Sequence, residues 1–378
     1  MDRLALPTES QPPQSQPERP SSPYSTSGDR RVRLSSSRAA SSVPSNALDE
    51  FFVQIDNARR TSQIDDREFV LCSRVADWLR ASPGNDPQNQ PTNAERVLKA
   101  VYGNPFWAGS TRWSLSPLLP RMRKEDEKCW LRTFAVLLLV GNKDAATHDL
   151  GKYIHRFFEQ DKVDKHLPIA QSELENIFFH LGLGETKAAK HFWDLQWQFC
   201  TQKAFHQPHN RIYMFKETIL PITKKVMRKQ GGSGTIYIVE VPCECIPQSL
   251  AAKLRGKPYN TYDSDGNLLG QVHQFALKVL GHKASYHNET LAYRALENQD
   301  GIVQCFGDWI YSRSSSPREN EYHLLLEWGV YDLEEFFLLY PPQHTADGIV
   351  KFWEALSSII LALSKIHDLV DGKDNWLG

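Results

Sequence analysis

Residues 232–239 read Gly232-Ser233-Gly234-Thr235-Ile236-Tyr237-Ile238-Val239, and Phe275-Ala276-Leu277-Lys278 follows downstream in an apolar, alternating context. Glycines at alternate positions let backbone N–H groups approach an oxyanion that any Cβ would hold away. Gly232 and Gly234 are spaced for that. A lysine on a neighbouring strand adds a point charge, but an ammonium in a partly desolvated cleft needs a carboxylate to keep it protonated and in place. Glu289, in a helix predicted over 287–296, is the candidate, because on a helix it shares a face with Tyr293 and Leu296. The apolar strand His323-Leu324-Leu325-Leu326 then runs into Glu327-Trp328-Gly329. A planar heterocycle would slot between Val239 and Ala276, its edge read by backbone groups at the end of the 323–327 strand.

In that order the segments resemble the nucleotide pocket of a protein kinase. Residues 232–239 fit its G-x-G-x-x-G-x-V loop, with Tyr237 at the third glycine, and 275–278 fit its V-A-I-K strand. The stretch of roughly 221–370 resembles the small lobe and first large-lobe helices of a eukaryotic-type Ser/Thr protein kinase, most like the divergent kinases of filamentous fungi. It covers less than half of the chain. The resemblance implies ATP as the bound cofactor and assigns the catalytic ion pair to Lys278 and Glu289, with Lys278 on the phosphates. It puts Gly232 and Gly234 over the phosphates, Val239 and Ala276 around the adenine, the backbone of Glu327 and Gly329 at its edge, and Leu326 at the gatekeeper position. Gly301-Ile302-Val303 would begin the next strand, Asp332-Leu333 the helix after the hinge, and Ile349 to His367 the long helix preceding the catalytic loop.

Two departures qualify the resemblance. The segment 243–270, before the lysine strand, is much longer than a tight hairpin. The residues that perform phosphoryl transfer, a catalytic-loop aspartate, lysine and asparagine followed by Asp-Phe-Gly, are not found. Asp371-Gly372-Lys373-Asp374-Asn375 places its asparagine one residue early, and His367-Asp368-Leu369 lacks the arginine and the lysine. Magnesium is expected in the family, yet no metal ligand is assigned here. Two functions follow: a Ser/Thr kinase of which this chain is a truncated version, or a catalytically inactive pseudokinase acting as an interaction module.

The rest of the chain sets the frame for an α+β protein. At 378 residues and 40% hydrophobic composition, two domains and a tail are expected. A net charge of -1 argues against a nucleic-acid partner. The longest apolar run, Phe134 to Val140, is too short for a membrane span. Six cysteines without a framework imply reduced thiols and an intracellular, cytoplasmic or nuclear, location. Residues 1–46, rich in Ser, Pro, Gln and Arg, read as a disordered tail.

Amphipathic runs at 47–57, 66–80, 94–103, 126–140, 148–158, 171–180 and 186–200 predict an all-helical domain over 47–220. Its aromatic cluster, Phe192, Trp193, Trp197 and Phe199, reads as core, and the partial kinase domain would occupy 221–378. Asp263-Ser264-Asp265-Gly266-Asn267 reads as an Asp-Gly turn between two extended pieces. The helix over 347–367 carries an apolar stripe, Ile349, Phe352, Trp353, Leu356, Ile359, Ile360, Leu363 and Ile366, that offers a surface to a protein partner.

Overall fold

The computed structural model describes residues 47–83, 91–102, 129–143, 150–179, 186–201, 212–213, 216–297, 299, 301–312, 320–331, 333–339 and 345–368. The expected tail 1–46, Asp332 and the 371–375 segment lie outside them. Ahead of the sheet come α1 (Ala47–Ala58), α2 (Cys72–Arg80), α3 (Asn93–Tyr102), α4 (Leu131–Lys143), α5 (Leu150–Glu159), α6 (Gln171–Phe179) and α7 (Thr186–Gln196). The helix α4 is apolar nearly all round and is buried from Thr133 to Gly141, with Phe134, Val136, Leu137 and Leu138 fully buried. Its first turn is capped from a distance, Asp164 accepting hydrogen bonds from the amides of Arg132 and Thr133 at 3.0 and 2.9 Å.

One predicted helix divides. The run 66–80 becomes β2 (Glu68–Val70), antiparallel to β1 (Arg59–Thr61), and only then α2. Phe69 and Leu71 sit two residues apart, as on a strand, whereas Val75 and Leu79 sit four apart, as on a helix. The apolar spacing changes period within the run. Similarly, the helical run 186–200 ends as α-helix at Gln196 and finishes in a 3-10 turn over Trp197–Phe199. Phe192, Trp197 and Phe199 are buried, as expected of core aromatics.

The main sheet has seven strands in the order β3-β8-β9-β7-β5-β4, with β6 also paired to β7: β3 (Ile212–Tyr213), β4 (Lys224–Gln230), β5 (Gly234–Pro242), β6 (Tyr259–Tyr262), β7 (Leu268–Leu280), β8 (Cys305–Ser312) and β9 (Asn320–Glu327). All pairs are antiparallel except the edge pair β3 and β8. The long 243–270 segment is accounted for by a 3-10 turn (Cys243–Cys245), the short helix α8 (Gln248–Ala251) and β6. The hairpin joining β6 to β7 is closed by the Asp-Gly turn. Asp263 accepts from the amides of Asp265 and Asn267, and Gly266 takes the left-handed φ of 81° that favours glycine.

One face of this sheet and the helices share a single core. Val239, Val241, Phe275, Leu277 and Leu325 pack into the same cluster as Phe51, Phe134, Phe157 and Trp197. Polar clamps reinforce it: Arg67 donates to the carbonyls of Glu217 and Thr218 at 2.8 and 2.5 Å, and Tyr311 Oη donates to Asp65 at 3.1 Å. The division expected at 220 is therefore a boundary of secondary structure through a common core. The other face carries the helix α9 (Lys283–Ala295) over a smaller cluster of Ala276, Tyr286, Tyr322, Leu324 and Leu326. Beyond β9 lie α10 (Leu333–Leu339) and α11 (Ala346–His367). Among the described residues no helix is long and apolar enough to cross a membrane.

Candidate functional site

Cross-strand partners present their side chains on the same face of a sheet. In β5, β7 and β9 one row joins Ile236, Lys278 and Leu324, and the next joins Ile238, Ala276 and Leu326. These residues form the floor beneath α9. That helix is fixed by Tyr286, which is buried, lies tilted against Tyr322 with ring centres 5.1 Å apart, and donates its hydroxyl to Asp308 at 2.6 Å. Arg294 approaches the same aspartate at 3.9 Å. Almost one turn after Tyr286, Glu289 meets Lys278, Oε1 to Nζ, at 2.7 Å. With side chains 18% and 23% exposed, the pair is neither solvated nor sealed. Its ammonium retains further donors beyond the one that Glu289 engages.

The glycine-containing turn lies between β4 and β5, closed by the amide of Gly231 donating to the carbonyl of Gly234 at 2.9 Å. The two candidate glycines differ. A Cβ on Gly234 would meet the carbonyl oxygen of Val279 at 2.4 Å, so close strand approach already requires glycine there. At Gly232 nothing lies within 4 Å of that position, and the open backbone can receive a ligand atom. Tyr237 is within β5, opposite Met227 and Leu277, and not at the tip of the turn. The ammonium of Lys225 lies 4.3 Å from its ring centre.

Val239 is not brought to the site. It pairs with Phe275 on the face turned toward the helices and is fully buried there. Ile238, partly exposed and opposite Ala276, occupies the place expected for Val239. The difference is one residue, and with a strand period of two a single step reverses the face.

At the end of β9, Glu327 gives its amide N–H to the carbonyl of Gln304 at 2.8 Å, so only its carbonyl oxygen could read the edge of a bound ring. Its carboxylate approaches Arg255 at 3.8 Å. Gly329 follows in exposed, irregular chain. Arg228 of β4 pairs with Glu335 of α10, linking the strand that leads into the glycine turn to the helix beyond Gly329.

The structure thus brings together Lys278, Glu289, Ala276 and Leu326, places the glycine turn on the adjoining strand, and leaves Val239 outside. Sequence reasoning missed Tyr286, Asp308 and Ile238. Asp308 offered a signal, being a carboxylate within the apolar run Phe306-Gly307-Asp308-Trp309-Ile310, where burial demands a partner. Compared with known protein families and with curated proteins, the sequence gives no match.

Proposed function

We propose that this chain binds a nucleoside triphosphate in the manner of a protein kinase, with ATP lying between the β4–β5 turn and the end of β9. The observation that carries the reading is the ion pair of Lys278 and Glu289, made from a strand lysine and a helix glutamate and held by the anchored α9. In this reading Lys278 neutralises phosphate charge, Glu289 holds the ammonium in place, and Gly232 admits a phosphate oxygen. Ile238 and Ala276 cover the base beneath Leu326, and the Glu327 carbonyl and Gly329 amide read its edge. ATP would supply the transferable phosphoryl group in a family member that carries the catalytic loop. The 378 residues hold no catalytic-loop motif, so we expect nucleotide binding without turnover.

Titration of a fluorescent ATP analogue tests this. Lys278→Met should weaken binding at least tenfold, about 1.4 kcal/mol, and Glu289→Gln should weaken it in the same direction. Equal binding by wild type and Lys278→Met would remove the lysine from the site and the reading with it. Phosphoryl transfer abolished by Asp371→Ala would show that the 371–375 segment acts catalytically.

A second reading, an interaction module without catalysis, is favoured by the apolar surface of α10 and α11. Leu338, Trp353, Ile360 and Leu361 are 77%, 62%, 62% and 64% exposed, and Ala362 is the buried residue of α11, set against Gly301. Such a patch favours association. Light scattering on the full chain and on a chain ending near Tyr340 should show oligomers only for the first. Monodisperse monomers from both would count against this surface.

A further inference from the structure

At the far end of the same strands lies a second concavity, a cavity of about 640 Å³ between the β1–α2 region, the end of β5 and the β6–β7 hairpin. On β7 it reaches Val272, six residues before Lys278, hence about 20 Å from the ion pair at the rise of an extended strand. Three cations and two carboxylates line it: Arg60, Arg74, Lys224, Glu240 and Glu244. Both carboxylates are already engaged. Glu240 lies 2.8 Å from Lys224 Nζ, and Glu244 accepts from the hydroxyl and amide of Ser73. The two arginines are not matched in this way.

Among the described residues, Arg60 donates only to the carbonyls of Asn57, Arg59 and Leu269, and Arg74 only to that of Leu268. Among those residues neither has a carboxylate in ion-pair contact, and each guanidinium carries donors beyond those bonds. Burial first, and then the neighbouring Arg74 charge, hold the Arg60 guanidinium below the usual arginine range, against the opposing pull of Glu244 and Asp263. The same cavity is lined by Tyr262 and Leu268, which are 58% and 52% exposed. Two adjacent guanidiniums with no carboxylate in ion-pair contact among the described residues, beside exposed apolar side chains in a cavity of ligand size, form a pattern that one chemistry completes.

We propose that this cavity binds an organic oxyanion, a phosphate or carboxylate carried on an aromatic or apolar body, with Arg60 and Arg74 on the anion and Tyr262 and Leu268 against the body. The site is separate from the nucleotide site, and the proposal does not depend on that reading.

Phenyl phosphate, phenylacetate and phenol, titrated into the full chain by calorimetry or NMR, test it. Saturable binding is expected for the anions and not for phenol, and the tighter of the two anions identifies the headgroup. Arg74→Gln should weaken the better anion at least tenfold, Arg74→Lys should recover part of the loss, and Lys278→Met should leave the affinity unchanged. Arg60→Gln should act like Arg74→Gln. If loss of its carbonyl contacts unfolds that variant, the wild-type chain still reports through Cys243, which lines the cavity. The bound anion should slow alkylation of Cys243 relative to Cys305, read by peptide mass spectrometry. The proposal is overturned by unchanged affinity in Arg74→Gln, by phenol matching phenyl phosphate, or by no saturation and no protection of Cys243 at roughly 10 mM anion.

Discussion

Leu277 and Lys278 are neighbours on one strand, and the sheet delivers them to opposite surroundings. Leu277 is fully buried in the core shared with the helices, whereas the Lys278 side chain stays 18% exposed beside Glu289. The same contrast repeats along β5, where Val239 is sealed and Ile238 is not. One face holds the strands at a fixed height through close packing, which tolerates little change in volume. The other can then present a charge pair in a defined geometry without contributing much to stability itself. The contrast teaches that the helical part is a backing to the candidate site: it packs the face opposite Lys278 and Glu289.

Deleting side chains from each face gives the largest expected effect. Phe275→Ala should cost about 3–5 kcal/mol and Leu277→Ala about 2–5 kcal/mol, because each leaves a cavity in a sealed core. Ile238→Ala, on the partly exposed face, should cost less than about 1.5 kcal/mol and should weaken nucleotide binding. Urea midpoints at constant slope would measure the difference. Similar losses from Ile238→Ala and Phe275→Ala would erase the distinction between the faces.

A smaller effect separates the two glycines of the turn. Gly234→Ala drives a Cβ into the Val279 carbonyl oxygen, 2.4 Å away, and should destabilise by about 1–3 kcal/mol as the strands shift. Gly232→Ala meets no neighbour and should change stability by no more than about 0.5 kcal/mol while weakening ATP binding. Thermal melts and nucleotide titrations on both variants would expose a reversal of these roles.

How much of this was legible in the sequence depends on how local the information was. Lys278 and Glu289 could be named because alternation on a strand and periodicity on a helix each point a side chain, and the two directions converge. The α+β class and most helix positions followed from the same periods. Val239 went to the wrong face because residues 231–234 offer several ways to set the turn, and a one-residue choice there is invisible to pattern but reverses every side chain of β5. The common core was hidden for another reason. Apolar residues at 69, 134, 239 and 277 declare that they are buried, but not that they are buried together, since contact between distant segments leaves no periodic trace. Asp308 illustrates a middle case, a carboxylate that announced a partner without naming Tyr286.

Two ion pairs of nearly equal length give the finest test of the contrast. Arg96 grips Glu50 with two hydrogen bonds of 2.7 and 2.6 Å between α3 and α1, in the helical backing, while Lys278 holds Glu289 at 2.7 Å on the open face. The Arg96 hydrogen bonds hold the Glu50 carboxyl below its ordinary value of 4.5, outweighing the opposing effect of burial. A carboxyl lowered on folding stabilises the protein above its unfolded pKa, and the contribution fades as pH falls through the lowered value. Because the pair is partly exposed, its worth at neutral pH is about 0.5–1 kcal/mol, reduced by salt. Glu50→Gln should therefore lose that amount near pH 7, lose less at an acid pH below the lowered carboxyl pKa, and bind ATP like the wild type. Glu289→Gln should show the reverse emphasis, with nucleotide affinity falling more than stability. Denaturation of both variants at the two pH values, paired with nucleotide titration at neutral pH, reads all of these. If Glu50→Gln also lost nucleotide affinity, the helical backing would be coupled to the site more tightly than the two-faced sheet implies.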